Sequence, residues 1–426
     1  MSICTLGCKV NLYESKAIEE LFVNEGYEIV SNDEFADIYI INTCTVTNMS
    51  DRKSRQFIRK SKKHNKNSIL VVTGCYSQIS PEEILKISEV DILIGTNEKN
   101  KIIDIISNYN GNKISTVDDI MKVKEFEEMT LSNLNEKTRA FIKIQDGCQQ
   151  FCSYCIIPYA RGPIRSRKLE NIISEIKSLV EHGYKEFVLT GIHVASYGKD
   201  LKEISLIDVL KEINKIDGVK RIRMSSIEPL IMTSEFINEL SKLDKICNHF
   251  HLSLQSGCDS VLKRMNRKYD TKIYKDIVLN LRAVFEDVSI TTDVITGFPG
   301  ETKEESEQTY EFLKDIKLAQ MHVFKYSKRD GTKAAKMDNQ VLPETKTKRS
   351  KSLLELNKLN EYEFRKSLIG RTLDILFEKE YEKDNYEGLS TNYVRVSCYS
   401  KENIENEIKK VKIKDINEEY LIGELI

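Results

Sequence analysis

The chain has no apolar run near the roughly 18 residues that a bilayer crossing requires, which excludes a membrane-spanning helix. It opens almost directly on Thr5-Leu6-Gly7-Cys8, with no charged-then-apolar secretory pattern, so the cytoplasm is the expected compartment. Ten cysteines without such a signal argue for metal or redox use over a disulfide framework. There is no strong charge of either sign. A net charge of −1 gives no global case for a nucleic-acid partner, and any such case must rest on local patches. At 426 residues, two to three domains are expected.

What is present is a local cysteine run. Cys148, Cys152 and Cys155 stand in C-x3-C-x2-C spacing, just after an apolar run at 140–144 that reads as a strand. The second C-x2-C pair, or the histidines, that usually complete a zinc site do not follow. Iron–sulfur clusters are held by cysteine thiolates, normally four for a four-iron cube. Three thiolates leave one iron without a protein ligand, and an open metal position is a place for chemistry.

Residues 1 to about 134 alternate short apolar runs (3–6, 38–41, 69–72, 92–94) with stretches of helical period, as expected for a parallel sheet covered on both faces. Cys8, Cys44 and Cys75 each fall just past the end of one of these strands. Carboxyl ends of parallel strands share one edge, so three cysteines distant in sequence are expected to meet there in a second three-thiolate site. Glycine precedes Cys8 and Cys75, which lets backbone approach a bulky ligand. Cys4 is expected in the core. The basic stretch Arg52, Lys53, Arg55, Arg59, Lys60, Lys62, Lys63 and Lys66 reads as a helix opening at Ser50-Asp51, either a solvated face or a phosphate-tracking one. Residues 110–138 lose the pattern and read as a linker plus an edge element.

Six strand signals follow, at 140–144, 186–189, 221–225, 249–254, 288–295 and 319–324, with helices between them. Repeated βα units close toward a barrel, and six give a partial one whose chemistry sits past the strand ends. The residues there include Gly191, Glu228, Gln255 and Asp293. Directly after Cys155, Tyr159, Arg161, Arg165 and Arg167 suit an anionic, aromatic substrate such as a nucleotide, or else pair with the acidic helix carrying Glu170 and Glu175. A polar helix is expected over 343–366. Short strands at 372–377, 393–398, 409–413 and 420–424, with Asn385, Gly388 and Asn392 as turn residues, then fit a small β-barrel. Lys409, Lys410, Lys412 and Lys414 give it a basic strand. Cys247, Cys258 and Cys398 are expected to be structural.

The C-x3-C-x2-C loop at a first barrel strand resembles the signature of radical S-adenosylmethionine (SAM) enzymes. With Thr5-Leu6-Gly7-Cys8-Lys9-Val10-Asn11, Asn42-Thr43-Cys44-Thr45-Val46-Thr47 and the run 155–167, the whole chain is similar to the methylthiotransferase family. Its isopentenyladenosine branch typically reads Gly-Cys-Gln-Met-Asn at the first motif and its ribosomal-protein branch Gly-Cys-Pro-Lys-Asn. Gly7-Cys8-Lys9-Val10-Asn11 fits neither and is most similar to the branch acting on N6-threonylcarbamoyladenosine at tRNA position 37.

The resemblance implies an α/β fold in four parts. These are an amino-terminal parallel α/β domain (1–134), a partial (βα)6 radical SAM barrel (135–340), a helical connector (341–366) and a TRAM-type antiparallel β-barrel for RNA (367–426). It implies two four-iron, four-sulfur (4Fe-4S) clusters, one on Cys148, Cys152 and Cys155 and an auxiliary one on Cys8, Cys44 and Cys75. SAM would be contacted from Tyr154, Gly191, Glu228, Gln255 and Asp293. Two SAM molecules would act, one methylating a sulfur on the auxiliary cluster, the other giving the radical that opens C2 of the adenine. A tRNA substrate, an electron-donor protein, a sulfur donor and a monomeric chain complete the expectation. The alternatives are an isopentenyladenosine tRNA, a ribosomal-protein aspartate, or a non-catalytic iron–sulfur RNA sensor.

Overall fold

The computed structural model describes residues 1–132 and 138–426; the expected boundary at 134/135 lies outside the described residues. None of the described helices is long and apolar enough to cross a membrane.

The first sheet is all parallel, in the order β1 (Ser2–Thr5), β2 (Ile38–Thr43), β3 (Ile69–Gly74), β4 (Ile92–Leu93) and β5 (Ile114–Ser115). Successive side chains on a strand leave on opposite faces, so a continuous apolar run serves two cores. Ile38 and Ile40 of β2 pack with Tyr13, Ile18 and Phe22 of α1 (Lys9–Asn24) and with Ile102 and Ile106 of the later helix Ile102–Ser107. Tyr39 and Ile41 face Ile58 of α2 (Asn48–Ser61), Tyr76 of α3 (Cys75–Ile79) and Ile84 of α4 (Pro81–Leu85). The helix Ile102–Ser107, α5, completes this layer. The stretch from residue 110, read as a linker plus an edge element, supplies β5 at the edge of the first sheet and also buries Met129 and Leu131 in the α1 core. A two-residue strand is too short to show a period.

The half-barrel is built from β6 (Arg139–Asp146), α6 (Ile157–Arg161), β7 (Arg165–Ser166), α7 (Leu169–Glu181), β8 (Glu186–Gly191), α8 (Leu206–Asn214), β9 (Arg221–Met224), α9 (Ser234–Leu240), β10 (His249–His251), α10 (Asp259–Arg264), α11 (Thr271–Val284), β11 (Ser289–Thr296), α12 (Lys303–Ile316) and β12 (Gln320–Lys325). Strands β6, β8 and β9 are parallel neighbours, as are β10, β11 and β12; single parallel bridges at Ile222–Ile246 and Ile227–Leu252 join the two groups. Ala140, Ile142 and Ile144 turn outward onto Ile172, Ile176 and Leu179 of α7. Apart from Phe141, their alternates are polar or charged. Lys143 of β6, Glu186 of β8 and Arg221 and Arg223 of β9 are all buried on the inner face. The long helix α13 (Pro343–Ser367) lies along β12, where Asn357 Oδ1 accepts from the Met321 N–H at 2.6 Å.

Strands β13 (Thr372–Glu382), β14 (Asn385–Ser390), β15 (Arg395–Tyr399), β16 (Ile408–Ile416) and β17 (Leu421–Leu425) close a barrel in the order β13-β14-β15-β17-β16, with one parallel contact, β15 to β17. Asn385 and Gly388, expected in turns, lie inside β14. A Cβ at Gly388 would stand 2.4 Å from the Leu376 carbonyl, so this glycine marks a close strand approach. The basic strand is half neutralised, since Lys409 pairs with Glu407 and Lys414 with Glu424 at 2.9 Å.

This barrel is fastened to the base of the half-barrel. Arg221 donates to the Leu389 and Asp374 carbonyls, both at 2.7 Å, and Arg223 to Glu186 at 2.9 Å. Tyr393, at the tip between β14 and β15, lies under the Arg223 guanidinium at 4.6 Å and stacks on His249 at 4.8 Å. Arg223→Ala strips Glu186 of its nearest partner in a water-free place, a loss of about 3 kcal/mol. Urea unfolding is expected to show the midpoint lowered by that free energy divided by the m-value.

Candidate metal centres

The Cys148–Cys155 loop starts where β6 ends. Gly147 turns it in the left-handed region (φ 75°), and a Cβ there would lie 1.8 Å from the Pro163 carbonyl oxygen, so only glycine fits. The Cys148 N–H donates to the Gly162 carbonyl and the Cys155 N–H to the Cys152 carbonyl, both at 3.0 Å. Burial pushes the Cys148 thiol up to about 11 and the Cys155 thiol up to about 12. Backbone N–H groups of Gln150 and Ile157 nonetheless point at these two sulfurs, and Arg267 Nη1 donates to Cys152 Sγ at 3.2 Å.

Cys8, Cys44 and Cys75 lie in neighbouring loops past the carboxyl ends of β1, β2 and β3. Gly7 (φ 108°) is held so close that a Cβ on it would meet Cys44 Cβ at 2.7 Å and Cys44 Sγ at 2.9 Å. Asn11 Nδ2 ties the two loops by donating to the carbonyls of Leu6 (2.7 Å) and Thr43 (2.9 Å). Cys75 begins α3 and is fully buried, which pushes its thiol up to about 11; Arg161 Nε donates to its sulfur at 3.2 Å. The Val46 N–H points at Cys44, whose thiol burial also raises. Cys8 is exposed.

Donors directed at five of the six sulfurs suit thiolates, and desolvated thiols become thiolates when a metal takes the proton's place. Among the described residues, three metal-ligating atoms lie within 4.8 Å of one another only at His251, Asp293 and His322, so the cysteine sets are wider than that. A single zinc, with Zn–S near ~2.3 Å, would draw its sulfurs to about 3.8 Å apart. Cys4, Cys247, Cys258 and Cys398 are buried in packing positions.

The three arginines after Cys155 do not face a substrate. Arg161, Arg165 and Arg167 are buried, because folding the first sheet onto β6 brings carboxylates to them. Arg161 reaches Glu14 of α1 at 2.5 Å, Asp146 at 3.2 Å and Asn11 at 2.6 Å. Arg167 pairs with Glu175, as the acidic-helix alternative has it, and with Glu128. Burial alone would raise the Glu14 and Asp146 carboxyls; Arg161 and Lys143, with Lys99 at Glu14 and Arg165 at Asp146, overturn it and hold both well below the usual carboxylate range.

A cavity of about 230 Å³ lies between the chain just past Cys44 and the Cys148–Cys155 loop, and Cys155 is the one cysteine that lines it. Val46 and Thr47 line one side and Cys155, Tyr154, Gln255, Asp293 and Phe324 the other. Three expected SAM contacts therefore meet at one place. Glu228 lines a different cavity of about 490 Å³ with Gln150 and His193, and Arg267, 3.4 Å away, joins it to Cys152. Gly191 lies within β8 against Gln145 and lines neither cavity. Sequence reasoning missed His251, His322 and Arg329. His251 Nε2 stands 3.2 Å from Asp293 while Thr291 Oγ1 holds its Nδ1 at 2.9 Å; its only sequence signal is a polar residue at alternate spacing in a strand. Arg329, in the Lys328-Arg329-Asp330-Gly331 turn, grips the Cys44 loop through Asp51, Thr45 and Asn48 at 2.6–2.7 Å.

A three-thiolate loop at the head of a six-stranded half-barrel defines the class of radical SAM proteins, and residues 142–313 match the model of the radical SAM superfamily. Residues 1–95 match a model described as uncharacterized protein family UPF0004. The chain is 44% identical, over 99% of its length and 95% of the relative, to the threonylcarbamoyladenosine tRNA methylthiotransferase MtaB of Bacillus subtilis. It is 35% identical, over 99% of its length and 96% of the relative, to a tRNA-2-methylthio-N(6)-dimethylallyladenosine synthase of Clostridium botulinum. In fold it is similar to the radical SAM methyltransferase TsrM of Kitasatospora setae, with a TM-score of 0.59 at 12% identity over 78% of this chain and 76% of that one. The chain belongs to the radical SAM methylthiotransferase family.

Gly147→Ala should prevent the Cys148 loop from closing. Iron and sulfide analysis after anaerobic reconstitution is expected to find about four fewer of each per chain than in the parent.

Proposed function

We propose that the chain is a tRNA methylthiotransferase that attaches a methylthio group to C2 of N6-threonylcarbamoyladenosine at position 37. The observation that carries the reading is the second group of three cysteines, whose Cys44 loop faces the Cys155 loop across a cavity through Val46 and Thr47. In the proposed arrangement residues 1–134 hold the auxiliary cluster, 135–340 form the catalytic barrel, 341–366 connect, and 367–426 bind RNA. Cys148, Cys152 and Cys155 would hold the SAM-binding 4Fe-4S cluster, and Cys8, Cys44 and Cys75 the other. When bound, the first cluster supplies the electron that cleaves SAM, and its partner holds the sulfur to be transferred.

The chain's own part is to seat and exclude. Tyr154, Gln255 and Asp293 share the cavity with Cys155, so a ligand there lies against the cluster loop. The mostly apolar remainder, Val46, Ile156, Ile157, Ile295 and Phe324, keeps water from a reactive carbon. Glu228 and His193 are placed for the polar end of a ligand in the second cavity. Helix α2 starts at the mouth of the Cys155 cavity, with Thr47 as its N-cap, and exposes Arg52, Lys53, Arg59 and Lys60, while Lys63 and Lys66 are exposed in the turn that follows it. Arg55 and Lys62 instead pair with Glu83 and Asp91, so six of the eight cations are free of ion pairs among the described residues. A phosphate backbone laid along this face would present a base to the cavity.

Mass spectrometry of tRNA nucleosides decides the substrate. The 2-methylthio derivative of the threonylcarbamoyl base should vanish in a strain lacking the gene. If it persists while the dimethylallyl derivative is lost, the substrate is the other one. Formation of 5′-deoxyadenosine by reduced, reconstituted protein excludes the sensor. Lys53→Glu with Lys60→Glu should weaken tRNA binding and lower the slope of log K against log salt by about 2, with the clusters unaffected.

A further inference from the structure

Helix α6 is five residues long and begins two residues after Cys155. Its last residue, Arg161, touches Cys75, a cysteine of the other set. Every N–H direction of that side chain is used. Nε donates to Cys75 Sγ at 3.2 Å, Nη1 to Glu14 at 2.5 Å and Asp146 at 3.2 Å, and Nη2 to Asn11 at 2.6 Å and Glu14 at 3.2 Å. The helix is pinned from the other side as well. Thr96 Oγ1 donates to the Ala160 carbonyl at 2.6 Å, and a Cβ at Gly162 would stand 2.4 Å from the Ile120 carbonyl.

The charges around this guanidinium do not balance without sulfur. Lys99, Lys143, Arg161 and Arg165 are four buried cations, and they meet three carboxylates, Glu14, Asp146 and Glu127. One negative charge is missing, and the sulfur on Arg161 Nε is where a thiolate would supply it. An unbalanced buried charge is costly, so the site is built for Cys75 as thiolate and for a cluster carrying that thiolate.

We propose that Arg161 is a positioning residue of the auxiliary centre, which fixes the reduction potential of a cluster on Cys8, Cys44 and Cys75 and ties it in register with the Cys148–Cys155 loop. This rests on the two-cluster reading above. A charged N–H donor on a ligating sulfur stabilises the more electron-rich state of a cluster, because added negative charge strengthens the bond. Losing it must move the midpoint potential downward.

The test uses the full chain with Cys148, Cys152 and Cys155 replaced by alanine, so that only the auxiliary cluster loads, and reads its midpoint by a redox titration followed by electron paramagnetic resonance. Arg161→Gln is expected to shift the midpoint to more negative values at unchanged iron content, and Arg161→Lys, which keeps the charge, to fall between. Identical midpoints in loaded parent and variants overturn the role of Arg161. Should Arg161→Gln take up no iron, Glu14→Gln carries the test. Neutralising the carboxylate that shares the guanidinium must shift the midpoint upward, and an unmoved one overturns the proposal. A parent that binds no iron in the triple-alanine background overturns the two-cluster reading itself. No RNA enters the measurement, so its outcome is independent of which base is modified.

Discussion

Glu14, on helix α1 of the first α/β layer, and Asp146, at the end of β6, are buried carboxylates, and neither could remain charged without Lys143 and Arg161 between them. Taking such ions out of water costs several kcal/mol apiece, on the order that a paired interior returns only when the geometry is good and every hydrogen bond is made. Here it is made from both sides. The contact between the first sheet and the half-barrel is therefore all or nothing. A small slippage would strand charges, so the two layers dock in one register. That register brings the Cys44 loop over the Cys148 loop and leaves the cavity between them.

The same logic recurs at the opposite end of the half-barrel. Glu186 is ringed by Arg223, Arg221 and Arg139, at 2.9, 3.5 and 4.0 Å, and Tyr393 from the carboxy-terminal barrel lies against two of the guanidiniums. Polar anchors thus hold the lumen at both ends, while the apolar core lies outside the strands, beneath the helices. Oriented charge gives less net stability than packed hydrocarbon but tolerates fewer arrangements, which suits a protein whose parts must meet at one distance.

Much of this was legible in the sequence. Thiolate spacing is local, so the Cys148 set needed only its own ten residues. The Cys8, Cys44 and Cys75 set was legible because parallel strands place their ends on one edge. The arginines were not. A guanidinium beside a cysteine loop looks the same whether it meets a nucleotide or a carboxylate, and Glu14 is 147 residues from Arg161 in the chain. The partner is chosen by docking of the layers, which no period records. Strand β14 was lost for the reverse reason. Its glycine and asparagine imitate a turn, and only the approach of β13 explains them. His251 and His322 flank Asp293 from neighbouring strands, a juxtaposition that register alone creates.

Helix α13 runs 25 residues and lends Asn357 to the outer strand of the half-barrel. A half-barrel, unlike a closed one, carries an exposed row of backbone donors and acceptors that invites a second chain to add a strand. With α13 laid over β12, that row is covered from within the same chain. The protection depends on no iron. The edge is thus screened whether or not metal is held at the cysteine loops, so the guard against strand addition and the metal chemistry rest on different parts of the chain.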